Sequence, residues 1–129
     1  MASIFTKIVE GEIPAHKIHE NEKFLAFLDI NPLVKGHALV IPKKETDYIF
    51  DLSDDLLSEI LPFAKDAARK IEAVVECERI GISVIGLEVP HAHVHLIPIN
   101  SVSDMNFAKP KLSFSQEEME TLAAQIRKA

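Results

Sequence analysis

Apolar residues follow two rhythms along this chain. Over residues 16–42 and 79–99 they come in short dense runs, "HKIHE", "FLAFLDI", "HALVIP", "RIGISVI" and "HAHVHLIPI", bounded by Gly, Pro, Asn and charged residues. Such runs predict strands, and the polar stretch 20–23 between the first two predicts a turn. "NPLVKG", punctuated by Pro32 and Gly36, predicts the loop before the third strand, which Pro42 ends. Over 53–76 the spacing changes to three and four. Leu57, Ile60, Leu61, Ala64, Ala67, Ala68, Ile71 and Val75 share one helical face there. Ser53 is the expected N-cap, and Asp54 and Asp55 complement the positive end of the helix dipole. Pro62 deletes the hydrogen bond to Ser58 and is expected to kink the helix. Residues 3–14 fit a short helix ended by Gly11 and Pro14. A last helix is expected over 115–128, where Ser115 and Glu118 make a capping box ahead of the apolar stripe Met119, Leu122, Ala123 and Ile126.

Five strands with several short connections pair antiparallel most simply. The expectation is an α+β fold: a five-stranded antiparallel sheet, one long helix packed on a face, and a C-terminal helix. Strand side chains alternate, so Ala92, Val94 and Leu96 point to the covered face and His91, His93 and His95 to the other. That second face has apolar surface to hide, which makes a homodimer the expected assembly. No repeat, linker or low-complexity tract divides the chain. The 129 residues are read as one domain with its core over about 3–98 and a tail from about 101.

Composition narrows the partners. Hydrophobic residues at 47% and charged residues at 26% belong to a globular chain. Lys and Arg number 14 against 20 Asp and Glu, a net charge of −6 that disfavours nucleic acid but leaves a small phosphorylated ligand open. The N-terminus lacks a basic start followed by an apolar run, and no stretch approaches 18 apolar residues. The single cysteine, Cys77, can form no internal disulfide. A cytoplasmic protein with no membrane partner is expected.

Three of the six histidines stand within five positions of "PHAHVHLIP", residues 90–98. Three readings compete. A metal site is one, since histidine is the commonest metal ligand. On a straight strand, however, His91 and His95 lie about 13 Å apart at roughly 3.3 Å per residue. Two of the three could ligate only with His37, His16 or His19 and a carboxylate completing the shell. A second reading makes them hydrogen-bonded histidines with no chemistry. The third is catalytic: His93 attacks phosphorus through a neutral ring nitrogen, its other nitrogen held as N–H by the His91 carbonyl, while a partly protonated His95 donates to the phosphoryl group or leaving group. A row of separate groups lining one slot suits the spacing best.

"HAHVHLI" resembles the signature of the histidine triad (HIT) family, and "IFTKIVEGEIPAHKIHENEKFLAFLDINPLVKGHALVIPKK" is similar to the N-terminal half of its Hint-like branch. The resemblance spans about residues 3–98. It implies a homodimer whose sheets join into one ten-stranded sheet, and hydrolysis or transfer at nucleoside monophosphate linkages with no cofactor and no metal. By position, His93 resembles the nucleophile, His95 and His91 its triad partners, and His37 the fourth active-site histidine. Asp29 matches the carboxylate that holds the ribose hydroxyls, and Ile4, Phe5, Ile8, Phe27 and Ile30 the apolar pocket for a purine base. Asn31 and Gly86 complete the implied substrate-binding set.

Two departures qualify that picture. The phosphate loop is several residues short, with Leu87 and Glu88 where Gln and a hydroxyl are expected and only Gly86 remaining of its glycines. Slow turnover, a changed substrate, or another phosphate-binding solution such as Lys109 or Lys111 follows. At the positions where some relatives bind structural zinc stand Ser3, Thr6 and Glu45, which removes the thiolate and imidazole ligands. The sequence thus points to a hydrolase releasing AMP from phosphoramidates or related conjugates. A nucleotide-binding or scaffold protein with vestigial catalysis, or a dinucleoside polyphosphate hydrolase, is the alternative.

Overall fold

The computed structural model describes residues 2–129. Its elements run α1 (Ile4–Val9), β1 (Lys17–Glu20), β2 (Phe24–Leu28), β3 (Ala38–Pro42), α2 (Asp54–Glu72), β4 (Arg79–Ser83), β5 (Val94–Ile99) and α3 (Gln116–Lys128). Single 3-10 turns lie at Ile49–Asp51 and Val102–Met105. The strands form one sheet in the order β1-β2-β3-β5-β4, every neighbouring pair antiparallel. The expected α+β architecture is therefore the observed one.

Burial explains why β2 and β3 read as unbroken apolar runs: both of their faces are covered. Phe24, Ala26, Leu28, Ala38, Val40, Val94 and Leu96 pack on one side against α2 and α3. Leu25, Phe27, Leu39 and Ile41 pack on the other side against Phe5 and Ile8 of α1. The short first helix thus hides half of the face that sequence left open. Apolar surface remains exposed at the β4 end, at Ile82 and at Val84 and Ile85 just beyond it, and around the α1 side at Ile4 and Ile30.

The caps form as read. Ser53 Oγ accepts from Leu56 N–H at 3.2 Å, and Ser115 and Glu118 bond reciprocally at 3.0 and 2.9 Å. The long helix differs in one detail. Leu61, expected on the buried face, is 54% exposed, and Phe63 fills the core instead. Pro62 sits inside a helix that continues to Glu72 without interruption. Ser58 and Pro62 both lie on the exposed side, where water can take the freed carbonyl. α3 is not a peripheral cover: Met119, Leu122, Ala123 and Ile126 belong to the same core as α2. Gly36, at φ +91°, makes the turn that delivers the chain to β3 with His37 at its threshold.

Candidate active site

Only His95 of the three histidines lies in a strand. The β3–β5 ladder pairs Ala38 with Leu96, Leu39 with His95 and Val40 with Val94, then stops. His91 and His93 precede the strand, in a segment pinned by His91 N–H on Val89 O at 2.8 Å and Ala92 N–H on Thr46 O at 2.7 Å. The expectation of three histidines on one strand is corrected accordingly. The rings still converge: His93 and His95 centroids lie 5.1 Å apart. Phe5 of α1 packs edge-on against His93 at 5.1 Å, His91 at 5.8 Å and Phe27 at 5.6 Å.

Hydrogen bonds fix the tautomers one after another. A carbonyl can only accept, so the 2.7 Å contact between His93 Nδ1 and His91 O places a proton on Nδ1. Nε2 of His93 is then the nitrogen left with a lone pair. Leu33 N–H donates to His37 Nδ1 at 3.0 Å, which makes His37 Nε2 the protonated nitrogen. That N–H donates to His95 Nδ1 at 2.9 Å, so His95 carries its own proton on Nε2. Burial pushes His37 down to about 3, with His95 and Lys111 adding to the shift. Burial, then the nearby His93, pushes His95 down to about 4. His95 is therefore a neutral donor at physiological pH, not the partly protonated group that its ordinary value suggests.

His91 is held from both ends. Its Nε2–H donates to Pro42 O at 2.8 Å, and its Nδ1 receives the Ser3 hydroxyl at 2.8 Å. Ser3 is also the N-cap of α1, accepting from Thr6 N–H at 3.0 Å. Glu45 closes the cluster. Its Oε1 accepts from Ser3 N–H at 2.6 Å and from the Thr6 hydroxyl at 2.7 Å. Those bonds hold its carboxyl down to about 2. Among the described residues no buried side-chain polar atom lacks a partner. The positions that the resemblance associates with zinc do meet in space, but as two hydroxyls, a carboxylate and an imidazole already bonded to one another. That donor set does not fit a structural zinc.

A cavity of about 480 Å³ opens beside these rings, within the range of small-molecule sites. His93, His95 and His37 line it, as do the expected Ile4, Phe5, Ile8, Phe27, Asp29, Ile30, Asn31 and Gly86. His91 does not; it backs the wall. Asp29 has two engagements: Oδ1 accepts from Asn31 N–H at 2.9 Å in a turn, and Oδ2 lies 3.7 Å from His37 Nε2. Burial, the largest influence, raises its pKa. Asp29, His37 and His95 each bring a potential ligand atom within 4.8 Å of the others. The His37 nitrogen in that group is the protonated one, so it lacks the lone pair that a metal would take. His16 and His19 are elsewhere, on Gln116 and Glu120 and stacked on Phe63 respectively.

Sequence reasoning missed two contributors. Phe107 stands edge-on to His95 at 4.8 Å and to His37 at 6.3 Å, roofing the pair from beyond the motif. Ser3, Thr6 and Glu45 were read only as missing ligands, not as the clamp on His91. Glu88, whose direction sequence left open, lines the cavity along with Lys111.

A family model described as the HIT domain matches residues 10–102. The chain belongs to the HIT family. It is 39% identical over 129 residues to an adenosine 5′-monophosphoramidase of Schizosaccharomyces pombe, covering 98% of this chain and 96% of that one. Among solved structures, a Hit-like protein from Bartonella henselae superposes with a TM-score of 0.84 at 27% identity, over 98% of this chain and 94% of that one. A zinc-bound histidine triad family protein from Mycobacterium smegmatis reaches 0.81 at 28%, over 99% and 92%. This HIT chain has no helix among its described residues that is long and apolar enough to cross a membrane.

Proposed function

We propose that this protein is a nucleotide hydrolase that releases AMP, or another purine nucleoside monophosphate, from phosphoramidates or related conjugates. The observation that carries the reading is the 2.7 Å bond from His93 Nδ1 to His91 O. It leaves Nε2 as a neutral nucleophile on a ring that lines the cavity. His95 Nε2–H supplies a donor for the developing charge on the phosphoryl oxygens. Phe5, Ile8, Phe27, Ile4 and Ile30 form an apolar slot for the base, and the second oxygen of Asp29 can accept from ribose hydroxyls.

In the first step His93 Nε2 bonds to the α-phosphorus. The P–N bond breaks, and its electron pair leaves with the amine, which takes a proton from water at the open mouth. In the second step water attacks phosphorus and the P–Nε2 bond breaks, returning its electron pair to the ring. Water's proton is released, giving AMP. Neither step calls on a metal or cofactor. The S. pombe relative's name, adenosine 5′-monophosphoramidase, supports the substrate class. The exposed strip at Ile82 of the edge strand β4, and at Val84 and Ile85 just beyond it, supports pairing of two copies through that edge.

Mass spectrometry under denaturing conditions tests the chemistry, with wild type and His93→Ala each mixed with adenosine phosphoramidate. An AMP-sized adduct on wild type alone, with steady AMP release, is expected. Release of AMP by His93→Ala at the wild-type rate would refute the nucleophile. Nucleotide binding with neither adduct nor release would favour the binding-protein reading, for which Glu88 at the mouth and the lack of polar donors on the short loop already speak.

A further inference from the structure

The cavity poses a charge problem that its histidines do not solve. The charged side chains lining it are Asp29, Glu88 and Lys111. Two are anionic, and His37 and His95 are held neutral by burial. A phosphate entering beside His93 therefore meets more negative than positive wall. The loop over 85–89 is Ile-Gly-Leu-Glu-Val, whose only possible donors are backbone N–H groups. Apart from its histidines, the lining holds one cationic side chain, Lys111.

We infer that Lys111 carries the phosphate of the bound nucleotide, as a substrate-binding residue delivered from outside the triad motif. The inference rests on the nucleotide reading and names where its charge is met. The segment bearing Lys111 is built to hold it there. Leu112 N–H donates to Pro32 O at 2.8 Å, tying the strap to the loop that precedes His37. Asn106 turns the strap, with its side chain accepting from Ala108 N–H at 2.9 Å and its carbonyl from Lys109 N–H at 3.1 Å. Lys111 Nζ donates to Phe107 O at 2.6 Å and to Lys109 O at 3.3 Å, and stands 6.0 Å from the Phe107 ring centre. The Phe107 ring in turn lies against His95, with centroids 4.8 Å apart. The ammonium is thus one aromatic ring away from the phosphoryl donor, with a third N–H uncommitted. Its field already reaches both Asp29, where it opposes the larger rise caused by burial, and His37, where it adds a little to the fall that burial causes.

Isothermal titration of the full chain with AMP and with adenosine separates the charge from the base. Lys111→Met is expected to weaken AMP binding at least tenfold while changing adenosine binding less than twofold. Lys109→Met, on a side chain outside the cavity lining, should change neither. Raising the salt should weaken AMP binding to wild type more steeply than to Lys111→Met. Equal weakening of AMP and adenosine would assign Lys111 to strap packing and overturn the inference, as would unchanged AMP binding. Wild type that binds neither ligand would overturn the nucleotide reading and this inference with it. A His93→Ala protein that keeps the AMP-over-adenosine preference would support Lys111 even if covalent catalysis failed.

Discussion

Two neutral imidazoles inside the protein impose a definite cost in acid. Above pH 6.5, His37 and His95 are uncharged whether the chain is folded or not, and they leave stability independent of pH. As the pH falls below 6.5 the unfolded chain takes up their protons, whereas the folded chain holds them neutral to about 3 and about 4. Stability therefore falls with pH, by about 1.4 kcal/mol per unit for each ring. Both rings are buried, so solvent screening reduces this little. Between pH 7.5 and 5 the pair contributes a loss of about 4 kcal/mol, a large share of the 5–15 kcal/mol typical of a domain. Burial lowers His91 in the same direction. The carboxylates that are held low, such as Glu20 and Glu120, lose their partners only below about 4.5, outside this window. Urea unfolding at pH 7.5 and pH 5.0 gives the loss directly for wild type and for His37→Ala. The variant is less stable throughout, but the quantity read is the difference between the two pH values. That difference should shrink by about 2 kcal/mol. Equal differences in the two proteins, or a His37 ring that titrates near 6.5 by NMR, would refute the reasoning.

Three further outcomes follow from contacts already described. Gly36→Ala places a Cβ 3.0 Å from Val75 Cγ2 and 3.2 Å from Pro98 Cγ at φ +91°, and should cost about 2–3 kcal/mol in urea unfolding. Ser3→Ala removes a helix cap and the 2.8 Å partner of buried His91 Nδ1, leaving it only the Thr6 hydroxyl at 3.4 Å; a loss of about 1–3 kcal/mol is expected. AMP release should slow in that variant and recover in Ser3→Thr, which keeps the hydroxyl; slowing in both alike would argue against the clamp. Leu87→Gln, at a side chain 88% exposed, should leave stability within about 0.5 kcal/mol. It adds a donor at the cavity mouth, so AMP binding by titration should tighten severalfold.

Most of the fold was legible because its signals are local. Ser53, Ser115 and Glu118 mark helix starts within one turn, and the runs around Leu25 and Leu39 are dense enough to be strands on any reading. The spacing of His91, His93 and His95 was legible as well, but not the end of the strand. That end is set by the partner: past the Val40–Val94 pair, the carbonyl of Pro42 turns to His91 Nε2 instead of to a backbone N–H. Leu61 was misplaced because its spacing from Leu57 and Ala64 suits a stripe that the sheet actually meets a little further round, at Phe63 and Ala67. The protonation of His95 lay outside sequence altogether, since its tautomer is set by a chain of hydrogen bonds from Leu33 N–H through His37. Phe107 carries no motif; only the closed fold brings it to the triad.

Ser3 serves the start of a helix and the orientation of a ring 88 positions away. The competence of the proposed nucleophile is thereby made conditional on the docking of the first helix, at six residues the shortest of the three α-helices described. A six-residue helix cannot hold its shape without the packing and cap that dock it, so it is among the first parts of a fold to open. Fraying here would release the Ser3 hydroxyl from His91, and with it the grip on the carbonyl that sets the proton of His93, while the sheet and its two larger helices stayed intact. Mild denaturant should then silence the enzyme before it unfolds it, so activity acts as a gauge of one local opening and not of global stability.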